Sequence, residues 1–151
     1  MIESAQSANF LIAVIAASIF GGYLHEFSHW FVGWLGGADP KFEWTFLFIP
    51  NGVDHGKIET MDSTIIRLSG ASIFLWVPPG ILSFVHLLTD FTPANLFVSM
   101  TSLMIVLMTT ESDIVAVREP ERFRQMWLND EFQRNAVFVP NWLDADWLPD
   151  I

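Results

Sequence analysis

The chain has 151 residues, of which 52% are hydrophobic and 16% charged, too apolar a balance for an ordinary soluble domain of this size. Its formal net charge of −10 argues against nucleic acid as a partner. It has no cysteine, which excludes a disulfide framework, a thiolate metal site and a cysteine nucleophile.

Charge is unevenly placed. Residues 4–24, 68–89 and 91–110 carry no Asp, Glu, Lys or Arg, in runs of 21, 22 and 20 residues. About 20 apolar residues cross a hydrocarbon core as a helix, so each run is a candidate transmembrane span. The start, MIESAQSANF, has Glu3 and no basic residue, which does not fit a cleaved secretory signal.

The first helix is expected over about 8–35 and ends at GGADP, with glycine for the cap and Pro40 beyond it. KFEWTFLFI at 41–49 alternates Phe42, Trp44, Phe46 and Phe48 with Lys41, Glu43 and Thr45, a period-2 strand pattern. PNG at 50–52 reads as a turn, and VDHGKIET as a returning strand, so a β-hairpin over about 41–59 follows helix one. Helix two is expected over about 63–88. It opens with the small residues LSGAS, which permit close helix approach, and VPPG at 77–80 should kink or interrupt it. Helix three is expected over about 93–117. EPERFRQMWLND after it forms a short amphipathic helix with Phe123, Met126 and Trp127 on one face, suited to a membrane surface. The chain thus divides into a three-helix membrane core, 1–118, and an acidic, aromatic tail, 119–151.

All seven basic residues lie between the first two runs (Lys41, Lys57, Arg67) or after the third (Arg118, Arg122, Arg124, Arg134). The positive-inside rule then places the N-terminus and the 89–94 connection outside. The hairpin and the tail are cytoplasmic.

HEFSH, within helix one, is His25-Glu26-Phe27-Ser28-His29, an H-E-x-x-H pattern. Residues four apart share a helix face, so both imidazoles can point at one metal ion. Neutral imidazole suits Zn²⁺, and Glu26 stands where it can take a proton from a water that the metal activates. A hydrogen-bonded structural cluster is the plainer alternative. Chance gives the pattern on the order of once in 200 chains of this composition, and ionisable groups inside a membrane helix are usually functional.

Catalytic zinc takes three protein ligands. The candidates for the third are Asp113, Glu111, His55 and His86. His29 lies about seven residues before the end of helix one, roughly 10 Å from the cytoplasmic surface, and Asp113 lies roughly 8 Å from the same surface. His86 is near the opposite end of helix two, in an interfacial or packing role. His55 belongs to the hairpin and is expected in solvent unless the hairpin folds back. Glu111 and Asp113 point away from each other on a helix, and Asp113 is the better placed.

These residues together resemble the site-2 protease family of intramembrane zinc metalloproteases. Its three-helix core carries H-E-x-x-H on the first helix, matched by His25, Glu26 and His29. A β-hairpin or small sheet follows, then a helix opening with small residues, similar to LSGAS. The third core helix supplies an aspartate, usually in a motif with Asn, Pro and an Asp-Gly pair; here the segment is TTESDIVAV, with Asp113. The resemblance covers residues 8–118 and implies a membrane peptide or protein as substrate, Zn²⁺ as cofactor and Glu26 as general base. The alternative from another class is a non-catalytic, metal-binding membrane scaffold. A transporter reading has less support, because the spans lack further charges to line a path.

Overall fold

A computed structural model describes residues 2–44 and 50–131. The second half of the expected first strand, 45–49, and the tail beyond residue 131 lie outside the described residues. The chain is mostly helical with one two-stranded sheet. Its elements are α1 (Ile2–Leu35), β1 (Lys41–Trp44), β2 (Pro50–Asp54), α2 (Ser63–Ala71), a 3-10 segment (Ser72–Trp76), α3 (Val77–Thr89), α4 (Pro93–Leu107), α5 (Glu111–Arg118) and α6 (Pro120–Leu128). Among the described residues, two stretches are long and apolar enough to cross a membrane, Phe10–Leu35 and Ser63–Thr89, with mean hydropathy 1.6 and 1.7.

Helix one ends where glycine permits it. Gly37 has φ +80°, and Ala38 N–H returns to the Gly33 carbonyl at 3.0 Å, a left-handed C-terminal closure. Trp30 then ties the hairpin to the helix. Its ring stacks on Phe42 (centroids 5.8 Å, 14°) and on Trp34, and its Nε1–H donates to the Pro40 carbonyl at 2.9 Å.

β1 and β2 pair antiparallel, Lys41 opposite Asp54 and Glu43 opposite Gly52, with a register shift between Glu43 and Trp44. This corrects the hairpin boundaries. PNG lies within β2 instead of forming the turn, and the returning strand ends at Asp54 instead of near residue 59. Turns follow: Gly56 adopts φ +62° and Lys57 N–H bonds the His55 carbonyl. A strand of two-stranded ribbon has one unpaired edge, and there a proline costs no ladder bond.

The second expected helix is interrupted, but earlier than the prolines themselves. Pro78 and Pro79 have no N–H for the carbonyls of Phe74 and Leu75. The turn ahead of them tightens to 3-10, with Val77 N–H on the Phe74 carbonyl. Pro78 then falls in the first turn of α3, where its missing donor is harmless.

The third expected helix, 93–117, is two helices. It breaks at 108–110, and Thr110 caps α5 by accepting from Asp113 N–H, while the Asp113 carboxylate accepts from Thr110 N–H. This reciprocal box satisfies two orphan donors. Thr-Glu-Ser-Asp at 110–113 is its signature, overlooked when the run is read by hydropathy alone.

The buried cluster lies at this end of the molecule: Ile58, Met61, Ile66, Val115, Ala116 and Phe123. Gly70 lets α2 meet α5 closely, since a Cβ there would stand 2.7 Å from the Asp113 carbonyl oxygen and 2.9 Å from Ala116 Cβ. α6 is amphipathic as expected, and its apolar face packs on this cluster through Phe123, Met126 and Trp127. Arg124 clamps it, donating to the Ile58 carbonyl at 3.1 Å and to the Met61 carbonyl.

Candidate metal centre

His25 and His29 stand one turn apart on α1, both buried. Their Nε2 atoms are 3.2 Å from each other. Asp113, 9% exposed at the start of α5, brings Oδ1 to 3.3 Å from His29 Nε2 and Oδ2 to 3.6 Å from His25 Nε2. These three are the group among the described residues able to hold a metal ion.

The other ring nitrogens are occupied. His25 Nδ1 is 3.0 Å from the Ile105 carbonyl, and His29 Nδ1 is 3.0 Å from the Ser69 carbonyl. A carbonyl only accepts, so each Nδ1 carries a proton and donates it. In neutral rings both Nε2 atoms then present bare lone pairs. Two lone pairs and a carboxylate converging within 3.2–3.6 Å repel one another unless a metal ion, or a proton on one Nε2, joins them. A tetrahedral ion with bonds of ~2.0–2.1 Å holds its donors about 3.4 Å apart. The residues present fit such an ion.

Both carbonyls lie where a helix changes its hydrogen-bonding pattern. Ile105 sits just ahead of the break after α4, where Thr109 N–H turns to the Val106 carbonyl and leaves that of Ile105 to the imidazole. Ser69 sits where α2 tightens to 3-10; its carbonyl takes Ser72 N–H, the Ser72 hydroxyl at 2.6 Å and His29 Nδ1–H. Partners of this kind fix the tautomer and orientation of ligating histidines. Asp113 is fixed likewise, its Oδ2 accepting Thr110 N–H at 2.7 Å and the Thr110 hydroxyl at 2.8 Å. Thr110, Ser69 and Ile105 are the site residues that the sequence reading missed. The capping signature would have revealed Thr110. No sequence signal marks the two carbonyls, because they act through the backbone.

A cavity of about 720 Å³ opens on the centre, walled by His25, Glu26, His29, Asp113, β2 and α6. Glu26 therefore shares the space with the three donors. Of the other candidates for third ligand, Glu111 is exposed on the far side of α5 and His86 is exposed near the end of α3. His55 is a correction: instead of standing in solvent it is 6% exposed, lies on the cavity wall and packs against Trp127 and Phe123 with ring centroids at 5.5 and 6.3 Å. The hairpin folds back because Val53, Ile58 and Met61 flank His55 with buried apolar side chains.

No family model, curated protein or solved structure matches the chain.

Proposed function

We propose that the protein is an intramembrane zinc-dependent peptidase. The observation that carries this reading is the convergence of His25 Nε2, His29 Nε2 and an Asp113 oxygen with their Nδ1 protons engaged elsewhere, in one cavity with Glu26. Two imidazoles and a carboxylate at this spacing suit Zn²⁺ with one position left open. Zinc held there supplies Lewis acidity toward a water molecule and a peptide carbonyl. Glu26 takes the water's proton on its carboxylate and returns it to the leaving amine nitrogen. Asp113 and the two histidines hold their donor atoms in place, and the carbonyls of Ile105 and Ser69 keep the rings from turning.

In this reading three crossings enclose the site: α1, α2 with α3, and α4 with α5. α4 has 15 residues and reaches only about 22 Å, short of a hydrocarbon core of about 30 Å, so α5 completes the crossing. Its break at 108–110 is tolerable at that depth because it lines the cavity instead of facing lipid. The basic residues put the N-terminus outside and the hairpin and tail in the cytoplasm. A substrate helix must unwind to expose a peptide bond, and β2, on the cavity wall, offers an edge for the extended segment. Packing over the mouth is the plainer role for the hairpin.

One observation favours the alternative of a non-catalytic metal-binding scaffold: α6 sets Phe123 and Trp127 into the cavity wall and narrows the approach. Metal analysis of the detergent-purified protein, followed by cleavage of reconstituted single-span peptides, decides. We expect near-stoichiometric zinc in the wild type, lost in His29→Ala and in Asp113→Ala. Glu26→Gln should keep the zinc and lose cleavage. A wild type that takes up no metal ends the peptidase reading. Zinc without cleavage of any peptide favours the scaffold.

A further inference from the structure

His55 is buried beside the three donors and has no part in the proposed proton transfers. Its placement follows from a glycine. His25, His29 and Gly33 succeed one another at four-residue intervals on one face of α1. Residue 33 has no side chain, and the hairpin fills the gap: a Cβ at Gly33 would lie 3.2 Å from His55 Nδ1 and 3.8 Å from its Cε1. The imidazole of His55 thus continues the row of ligand imidazoles by one turn, roughly 6 Å along the helix axis. It is not part of the metal group, which comprises His25, His29 and Asp113.

The protonation of this ring is fixed by its surroundings. Nδ1 is buried and has no hydrogen-bond partner among the described residues. A buried orphan N–H is rarer and costlier than a buried orphan acceptor, so the proton belongs on Nε2. Burial, with the His29 imidazole nearby, pulls the group down to about 4. At neutral pH His55 is therefore an uncharged ring with one N–H donor, on the wall of the cavity that holds Glu26 and the metal donors. A group so hard to protonate is a poor proton shuttle. It is a good fixed dipole, because it carries no charge to be desolvated before reaction.

We propose that His55 Nε2–H donates a hydrogen bond to the oxyanion that forms on the substrate carbonyl as water adds to the scissile peptide bond. The inference rests on the peptidase reading. In the step, a water oxygen bonds to the carbonyl carbon, the C=O π pair moves to oxygen, and Glu26 accepts the proton; His55 keeps its own proton throughout. Removing a preorganised donor of this kind weakens binding of the tetrahedral state far more than that of the planar substrate.

The probe is a phosphinic acid pseudo-dipeptide, whose tetrahedral P–O⁻ stands in for the hydrated peptide carbon. It is titrated into the full-length protein loaded with Co²⁺ and followed by the visible cobalt bands. Two variants oppose the roles of the side chain. His55→Phe keeps a ring against Phe123 and Trp127 and removes the donor; His55→Gln removes the ring and keeps an N–H donor. We expect all three proteins to bind equal cobalt. His55→Phe should bind the phosphinate about 10- to 100-fold more weakly, and His55→Gln within about 5-fold of the wild type. Wild-type affinity in His55→Phe, or a larger loss in His55→Gln than in His55→Phe, overturns the proposal in favour of packing. Cobalt loss in His55→Phe overturns it in favour of a ligand role. A wild type that binds no cobalt removes the peptidase reading itself, and the inference with it.

Discussion

The two ends of this molecule obey different rules. Around the candidate metal centre, polar groups are buried and many are matched: two Nδ1–H groups on carbonyls, a carboxylate on a helix cap, an arginine across the 58–61 turn, while His55 Nδ1 and Thr109 Oγ1 stay unmatched among the described residues. At the far end, α3 has no buried residue, and Leu82, Phe84, Val85 and Leu88 are all more than half exposed, Leu88 by 72%. Water would penalise such a surface at about 25 cal/mol per Å². A hydrocarbon solvent does not, provided the backbone bonds itself. The comparison teaches that packing is concentrated where chemistry needs rigid geometry. Elsewhere a self-bonded helix with apolar side chains suffices.

The comparison breaks most sharply at Glu26. On the peptidase proposal, Glu26→Gln should lower peptide cleavage by about 10²- to 10⁴-fold with metal content unchanged, since glutamine fills the space but would not accept the water's proton. Metal loss in that variant would show Glu26 to be part of the metal-binding shell.

The next effect is a pH dependence that arises at His55. His55 titrates at about 4 in the folded protein against 6.5 for an ordinary histidine, because it is buried. Between those values the unfolded chain binds the extra proton and the folded chain does not, so stability falls as pH falls from 6.5 toward 4. The full loss is about 3 kcal/mol, and stability due to this group is level above pH 6.5. Thermal unfolding in detergent across pH 4–7 should show the slope, and His55→Phe should flatten it.

Gly70→Val tests the close approach of α2 and α5. The new Cβ would fall 2.7 Å from a backbone oxygen of Asp113, so the helices must separate, at about 1–3 kcal/mol. The same movement carries the Ser69 carbonyl and Asp113 away from His29. Metal affinity, read by competition with a chelator, should therefore fall together with stability. A variant that loses stability alone would uncouple the helix contact from the centre.

Thr110→Val removes one of the two bonds on Asp113 Oδ2 and the side-chain cap of α5. We expect metal affinity to weaken about 10-fold or slightly more, with about 1 kcal/mol of stability lost. At the other end, Leu88→Ala should change stability by less than about 0.5 kcal/mol, whereas Ile66→Ala in the buried cluster should cost about 2–5 kcal/mol. Equal costs would show that α3 is covered by protein in the working state.

Sequence alone determined what depends on neighbours along one helix or on composition. His25 and His29 share a face because four residues make about one turn, and that holds in any fold that keeps α1 helical. The two long apolar stretches and the small-residue opening of α2 were legible in the same way, as was the rule that only one of Glu111 and Asp113 can face the histidines. A carboxylate two residues along must point elsewhere, and Glu111 is exposed while Asp113 is buried. The breaks in the second and third expected helices were half legible, since Pro78, Pro79 and the 110–113 capping box are local signals, although hydropathy runs straight through them. Tertiary structure alone decided where those breaks fall relative to the imidazoles. It thereby set which carbonyls, those of Ile105 and Ser69, reach the rings. It also decided that His55 sits over Gly33 instead of in water, and that the apolar face of α6 is turned to protein. Each of these joins groups 20 or more residues apart, through backbone oxygens or a missing side chain, and neither leaves a mark on the local pattern of residues.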